Sequence, residues 1–301
     1  MRGLLPVCLA ALLLPPESTA QLLGEKVGPQ NGVYALHART AGMADAAAAL
    51  PFPHGAHAVN PAILAWVRKG SAEVDIHRMR RDASMERAGV CVPAGRDAAV
   101  ALDVETWHGG GLDSWGGADP MEITGSASYG TMVTEDLSCG LTLRLHRSTQ
   151  GGDPANAVSA GAGLGYAPDR RFRFGCSLMG TGTDYRPAAP PLGWDRASPR
   201  GPRVLALGSA FLHRAGDHTL LFAYQSDMFL GERGVLYRAG MEWEWAGLLA
   251  ARTGVLVRGG ETEARAGLGL RIGAVRLDYA ARFSRLEGGP SGLAALAVEW
   301  P

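Results

Sequence analysis

The chain lacks any apolar run long enough to cross a bilayer as a helix. Leu4 to Leu14 falls short of the ~20 residues such a span needs, and nothing later supplies them. Lysine is nearly absent beside arginine, and the formal net charge is zero. That balance removes the basic face a nucleic-acid partner would require. Cysteine is scarce: Cys8 lies in the apolar start, while Cys91, Cys139 and Cys176 are far apart, with no CxxC or Cys/His cluster. A disulfide framework and a zinc site are therefore not indicated, and no cofactor or metal is expected. The start itself has a recognisable form. Met1-Arg2-Gly3 is basic, Leu4 to Leu14 apolar, and Glu17-Ser18-Thr19-Ala20 ends on small residues, the pattern of a signal peptide over 1–20 cleaved after Ala20.

What the chain has is glycine, at 42 residues, and alternation. Val275, Leu277, Tyr279 and Phe283 alternate with Arg276, Asp278 and Arg282, and Leu268, Leu270 and Ile272 alternate with charged Glu263, Arg265 and Arg271. A period of two belongs to strands with two unlike faces. It recurs over 71–79, 84–92, 97–106, 121–131, 136–147, 155–167, 171–182, 202–213, 217–227, 234–245, 248–257, 261–272, 274–284 and 291–300. Most of these reach the ~9 to 11 residues of a tilted membrane strand, and their even number returns both ends to one side. With the first strand running outward, the long connections 107–120 and 183–201 both fall outside, while Pro168-Asp169-Arg170, Ala215-Gly216 and Ala246-Gly247 are short inside turns. Tyr129, Tyr166, Phe211, Trp243, Trp245 and Trp300 fall late on inward-running strands, as an interfacial aromatic girdle would. The expected fold is all-β, a 14-stranded antiparallel transmembrane β-barrel over 71–301 in the outer membrane of a Gram-negative-type bacterium, with lipid as its surroundings. A soluble sandwich or propeller shares the alternation.

The face opposite the lipid is charged. Asp103, Glu105, Arg144, Arg238, Glu242, Arg252, Glu263, Arg265, Arg276 and Asp278 are its candidate lumen-lining residues, joined by Glu73, Asp75, Glu244, Glu261, Arg271 and Arg282. Both signs are mixed, whereas a selective ion pore shows rings of one sign. Mixed charge points to cross-linking ladders in the wall and around a plug, with a conducting path as the alternative. Gly161 to Gly165 is glycine-rich, but its glycines alternate as strand residues and no helix pattern follows, so it is not a nucleotide loop.

Residues 21–70 differ from the rest. Ala38-Arg39-Thr40-Ala41-Gly42-Met43-Ala44-Asp45, an alanine run to Ala49, and Ala58-Val59-Asn60-Pro61-Ala62-Ile63-Leu64-Ala65-Trp66 fit a short helix or plug, a turn at Asn60-Pro61, and the first strand. Arg39, Gly42, Met43, Ala47, Asn60, Pro61, Ala62, Leu64 and Ala65, followed by fourteen strands and Arg276-Leu277-Asp278-Tyr279-Ala280, resemble the FadL-like outer-membrane proteins, and among them the PorV/PorQ group. The chain has Ala44 where that family has a second glycine, and His54-Gly55-Ala56-His57 where it has an acidic residue.

The resemblance implies a barrel plugged by its N-terminal segment. Relatives of the fatty-acid porin admit hydrophobic molecules, whereas PorV and PorQ members serve type IX protein secretion and surface attachment. Passive passage of small hydrophobic molecules is therefore the expected role, with Asn60, Pro61, His54, His57, Arg39 and Met43 as plug or gate residues; a secretion accessory is the alternative. The loop from Asp184 to Gly201, rich in proline, is a candidate lid. A lipid hydrolase at the outer rim would use His77, His108 or His146 with Ser148, Asp82 or Asp113. No elbow motif or fixed spacing supports it, so the chain reads as non-enzymatic.

Overall fold

The structure is a computed structural model that describes residues 37–52, 55–78, 83–108, 121–149, 154–183, 186–187, 203–231, 234–284 and 289–301. The alternating segments form fourteen antiparallel strands: β1 (Gly70–Arg78), β2 (Ser84–Pro93), β3 (Ala98–His108), β4 (Met121–Met132), β5 (Leu137–Ser148), β6 (Ala155–Tyr166), β7 (Phe172–Gly182), β8 (Val204–Ala215), β9 (His218–Phe229), β10 (Val235–Trp245), β11 (Leu249–Arg258), β12 (Glu261–Ile272), β13 (Val275–Ser284) and β14 (Gly289–Trp300). A further two-residue pairing, Arg186–Pro187, lies against Ala155 and Asn156. Each strand pairs with its neighbours in sequence, and β1 pairs with β14 from Gly70↔Trp300 to Arg78↔Gly292, which closes the sheet into a barrel. Closure removes the edges that an open sheet would expose to lipid.

Strand ends differ from the sequence pattern by up to two residues, because the alternation is weakest where chains turn. Connections between β2 and β3, β8 and β9, or β12 and β13 are short, whereas 109–120 and 183–203 at the opposite end are long. The two ends are called the turn end and the loop end below.

Alternation sorts the side chains to two faces. Outward positions carry large apolar groups in the open, with Leu141 64% and Leu268 65% exposed. Such a continuous apolar wall suits lipid as its solvent. At the turn end Tyr129, Tyr166, Phe172, Phe174, Trp243, Trp245 and Trp300 are exposed on this wall. They are paired across strands: Phe172 and Phe211 lie with ring centroids 4.9 Å apart, and Trp243 Nε1 donates to His218 Nδ1 at 3.2 Å.

Inward positions carry the charge, and residues 37–52 and 55–67 fill the space between them. This plug contains α1 (Ala38–Ala41) and two short 3₁₀ turns, Ala56–Ala58 and Pro61–Trp66. The alanine run after Met43 is not helical despite alanine's propensity. Ala44 and Asp45 adopt left-handed φ of 56° and 57°, and Gln225 Oε1 on β9 accepts from the N–H groups of Ala47 and Ala48 at 2.7 and 2.8 Å. Wall contacts have overridden local preference. The small side chains let Ala46, Ala47, Ala49, Leu50 and Ile63 pack with Ala210, Leu221 and Ala223 as one apolar cluster.

Candidate functional site

The plug is seated on a belt of inward-facing glycines, Gly130, Gly140, Gly163, Gly175, Gly208, Gly240, Gly254 and Gly267. A methyl group added at Gly175 would lie 1.8 Å from the Ala48 carbonyl oxygen, and one at Gly240 would lie 2.4 Å from that of Met43. Backbone approaches this close tolerate no side chain. The belt therefore fixes where the plug backbone can run.

Asn60 is the knot of the plug. Its side-chain oxygen caps the Pro61–Trp66 turn by accepting from Ala62 N at 3.1 Å. Its Nδ2 donates to the carbonyls of Ala48, at 2.8 Å, and of Leu164 on β6, at 3.0 Å. One buried amide thus joins two plug segments to the wall. Pro61 follows at the first helical position, where its fixed φ suits and no N–H is missed.

Three clusters of buried charge anchor the plug. In the first, Arg39 donates to Glu242 through Nε at 2.9 Å and Nη2 at 2.6 Å, while its guanidinium lies 3.4 Å from the centroid of the Phe52 ring. Arg252 Nε donates to the same Glu242 at 2.6 Å, and Arg252 and Arg276 both reach Asp278 at 2.8 Å. Burial would lower the Arg39 pKa, but Glu242, Asp278 and Glu244 together outweigh it and raise the value. In the second cluster, Asp45 pairs with Arg265 and lies 3.5 Å from Arg238, which also donates to Asp227 at 2.7 Å. Burial would raise the Asp45 pKa, but Arg265 and Arg238 hold it below the ordinary carboxylate value. Glu263 accepts from Arg265 at 2.5 Å and Arg282 at 3.3 Å.

The third cluster surrounds Arg87, which pairs with Glu73 and Asp103, lies 3.1 Å from Asp75 and 4.0 Å from Glu105. Two plug histidines close it. His57 Nε2 is 2.8 Å from Asp103 Oδ2, and His37 Nε2 is 3.1 Å from Glu73 Oε2. Burial would lower the His57 pKa, but Asp103 outweighs it and raises the value. His37, Glu73 and Asp75 bring possible ligand atoms within 4.8 Å of one another. Yet His37 Nδ1 accepts from Arg39 N at 3.1 Å, so the ring proton sits on Nε2, the atom a metal would need. The trio reads as an ion-pair cluster that caps α1.

The candidate residues thus fall into place unevenly. Arg39, Met43, His57, Asn60 and Pro61 are buried in the plug, and the ten candidate lumen residues all point inward; Arg144 Nη2 donates to the plug carbonyl of Ala58 at 2.6 Å. His54 lies outside the described residues, as do Asp82, Asp113 and most of the loop from Asp184 to Gly201. The rim histidines do not converge. His77 Nε2 is 3.3 Å from Ser291 Oγ, whereas His146 lies between Thr124 Oγ1 at 2.9 Å and Ser159 Oγ at 2.8 Å. Ser148 pairs in register with Glu122. Sequence reasoning missed Asp45, Gln225 and Arg87, of which only Asp45 carried a signal, as an acid inside an alanine run.

No protein-family model and no curated protein matches the sequence. Among solved structures the chain is similar to the CymD monoaromatic hydrocarbon channel, with a TM-score of 0.62 and 12% identity over 88% of this chain and 97% of that one. It is similar to the Pseudomonas putida toluene transporter TodX, with a TM-score of 0.59 and 11% identity over 89% and 97%. A FadL homologue from Pseudomonas aeruginosa aligns with a TM-score of 0.57 and 12% identity over 89% and 98%. The chain shares the fold of FadL-type outer-membrane barrels.

Proposed function

We propose that this chain is a non-enzymatic outer-membrane barrel through which small hydrophobic molecules pass down their gradient, after export directed by residues 1–20. The observation that carries the reading is a lumen stopped by the chain's own N-terminal segment within an apolar outer wall, in a fold shared with proteins described as hydrocarbon channels. A solute entering from the loop end meets the plug and needs a way round it. Among the described residues the wall has a weak seam. Between β6 and β7 the register shifts at Ala160/Ala162, and Gly180 adopts a φ of 81°. Bulges locally break the ladder and re-aim the strand, so this seam is where an apolar solute can leave sideways into lipid.

The test is uptake of labelled toluene by cells that produce the protein, compared with cells carrying an empty vector and with a variant lacking residues 21–58. Faster uptake with the intact chain supports passage, and a change on deletion identifies the plug as the gate. Uptake equal to the empty vector in both forms overturns the proposal.

The close fit of the plug favours a second reading, a sealed barrel that serves as a PorV/PorQ-like accessory of type IX secretion or surface attachment. It predicts no uptake and stable co-purification with secretion proteins.

A further inference from the structure

The turn-end mouth of the barrel holds a cluster of charge that adjoins the Arg39–Glu242 anchor and extends beyond it. A cavity of about 330 Å³ opens there between Pro51 and Phe52 of the plug and the inward faces of β7 to β10. Its walls carry Arg39, Arg170, Arg173 and Arg214 against only Glu242 and Glu244. Both acids are already engaged: Glu242 by Arg39 and Arg252, and Glu244 by Arg276 at 3.9 Å. Positive charge is left over.

Arg173 concentrates it. Its Nε and Nη1 are buried with no hydrogen-bond acceptor among the described residues, and its guanidinium carbon lies 4.4 Å from the centroid of the Trp66 ring. A guanidinium laid on an indole has its face covered and its N–H edge free to bind. Buried donors without acceptors are costly, and a ligand that accepts from them recovers that cost. The planar fork matches a carboxylate or phosphate better than any neutral acceptor. Beside it, Phe52, Leu212 and Leu221 supply an apolar wall. The volume is at the small end of ligand sites, which suits one ring or a short chain attached to the anion.

We propose that this mouth is a binding site for a small organic oxyanion, a carboxylate or phosphate monoester on a compact apolar body, with Arg173 as its principal ligand and Arg170 and Arg214 as flanking charges. The site binds whether or not the barrel conducts, so its test is separate from hydrocarbon uptake.

The experiment is calorimetric titration of the purified full-length protein in nonionic detergent with benzoate, phenyl phosphate, inorganic phosphate and toluene. Benzoate and phenyl phosphate bind one to one; inorganic phosphate binds about ten-fold more weakly, and toluene gives no heat at this site. Arg173→Gln weakens both organic anions by about ten-fold or more, the scale of a lost charge-assisted pair. Phe52→Ala brings benzoate down to the level of inorganic phosphate. Absence of saturable anion binding by the wild type overturns the proposal, as does unchanged binding by Arg173→Gln that is still folded. Inorganic phosphate binding as tightly as benzoate overturns the apolar half and assigns the site to the free ion. Should Arg173→Gln fail to assemble, Arg214→Gln, whose side chain is exposed, decides the question by losing or keeping affinity.

Discussion

Gly175→Ala adds a single methyl group to the barrel wall, and the structure says where it goes. The new carbon falls 1.8 Å from the carbonyl oxygen of Ala48 and 2.6 Å from its carbonyl carbon, about 1.6 Å short of the 3.4 Å at which ordinary contact begins. β7 cannot retreat, since Gly175 is paired to Gly165 on one side and Gly208 on the other. The plug must shift instead, and that breaks the bond from Asn60 Nδ2 to Ala48. Overpacking of this kind costs about 1–3 kcal/mol, and the lost buried hydrogen bond adds on the order of 1 kcal/mol. Gly125→Ala is the matched control, because nothing lies within 4 Å of its added carbon and its φ is ordinary. Urea unfolding of the barrel in lipid vesicles, combined with protease cleavage within residues 37–67, measures both effects. Gly175→Ala is expected to unfold at lower urea and to expose the plug, while Gly125→Ala stays within about 0.5 kcal/mol of wild type. Equal stability and equal protease resistance of the two variants would refute the seating of the plug on the glycine belt.

Glu242→Ala removes the acceptor shared by Arg39 and Arg252, and leaving such buried cations unpaired costs about 3–5 kcal/mol; the double variant with Arg39→Met should recover part of that loss in the same urea assay. The His57–Asp103 pair gives the plug a pH dependence. Its folded pKa lies above the ordinary 6.5, so its contribution is complete below pH 6.5 and fades as pH rises through the folded value. Protease cleavage of the plug should therefore increase on the alkaline side, and His57→Gln should flatten that rise. Asp45 works in the opposite direction: its depressed pKa makes a contribution that is present above the ordinary value of 3.8 and lost as pH falls through the folded value, so Asp45→Asn should remove the acid sensitivity of the same cleavage. Ala44→Gly relieves a left-handed φ of 56°, which costs an alanine about 1 kcal/mol; it also removes a buried methyl, so the measured unfolding midpoint should move little, and a large fall would show that the methyl packing dominates.

The barrel was legible because lipid and lumen impose opposite demands on successive residues. Val275, Leu277 and Tyr279 could not share a face with Arg276 and Asp278 in any closed sheet, so one segment told its own strand and its two sides. The identities of the inward charges followed from the same alternation. Their partners did not, because Glu242 is met by Arg39 from the plug and Arg252 from β11, a grouping set by strand register and plug seating rather than by spacing. The alanine run misled in the direction of a helix, since its intrinsic preference was visible and Gln225 on β9 was not. Asn60-Pro61 was readable as a turn, but the reach of Asn60 to Ala48 and Leu164 needed the wall in place. The high glycine content was plain from composition, whereas its alignment into a belt depends on how tilted strands stagger. Ala44 is the instructive exception: the related pattern's glycine at that position is explained by the left-handed backbone that this chain asks an alanine to adopt.

The position of α1 ties the plug to the far end of the chain. Ala38 and Ala41, among the first described residues of the chain, pack on Ala280, Leu293 and Ala295 of the last two strands. Their docking surface is made by the C-terminal hairpin. Arg39 and Asp45 meet their partners earlier in the chain, on β10 and β12, so the plug is held from both sides. The pairing of β1 with β14, where Trp300 lies over Gly70, therefore does two things at once: it removes the sheet edges, and it completes the cradle for α1. Loss of β14 would therefore take away part of the seat of α1 together with the seam.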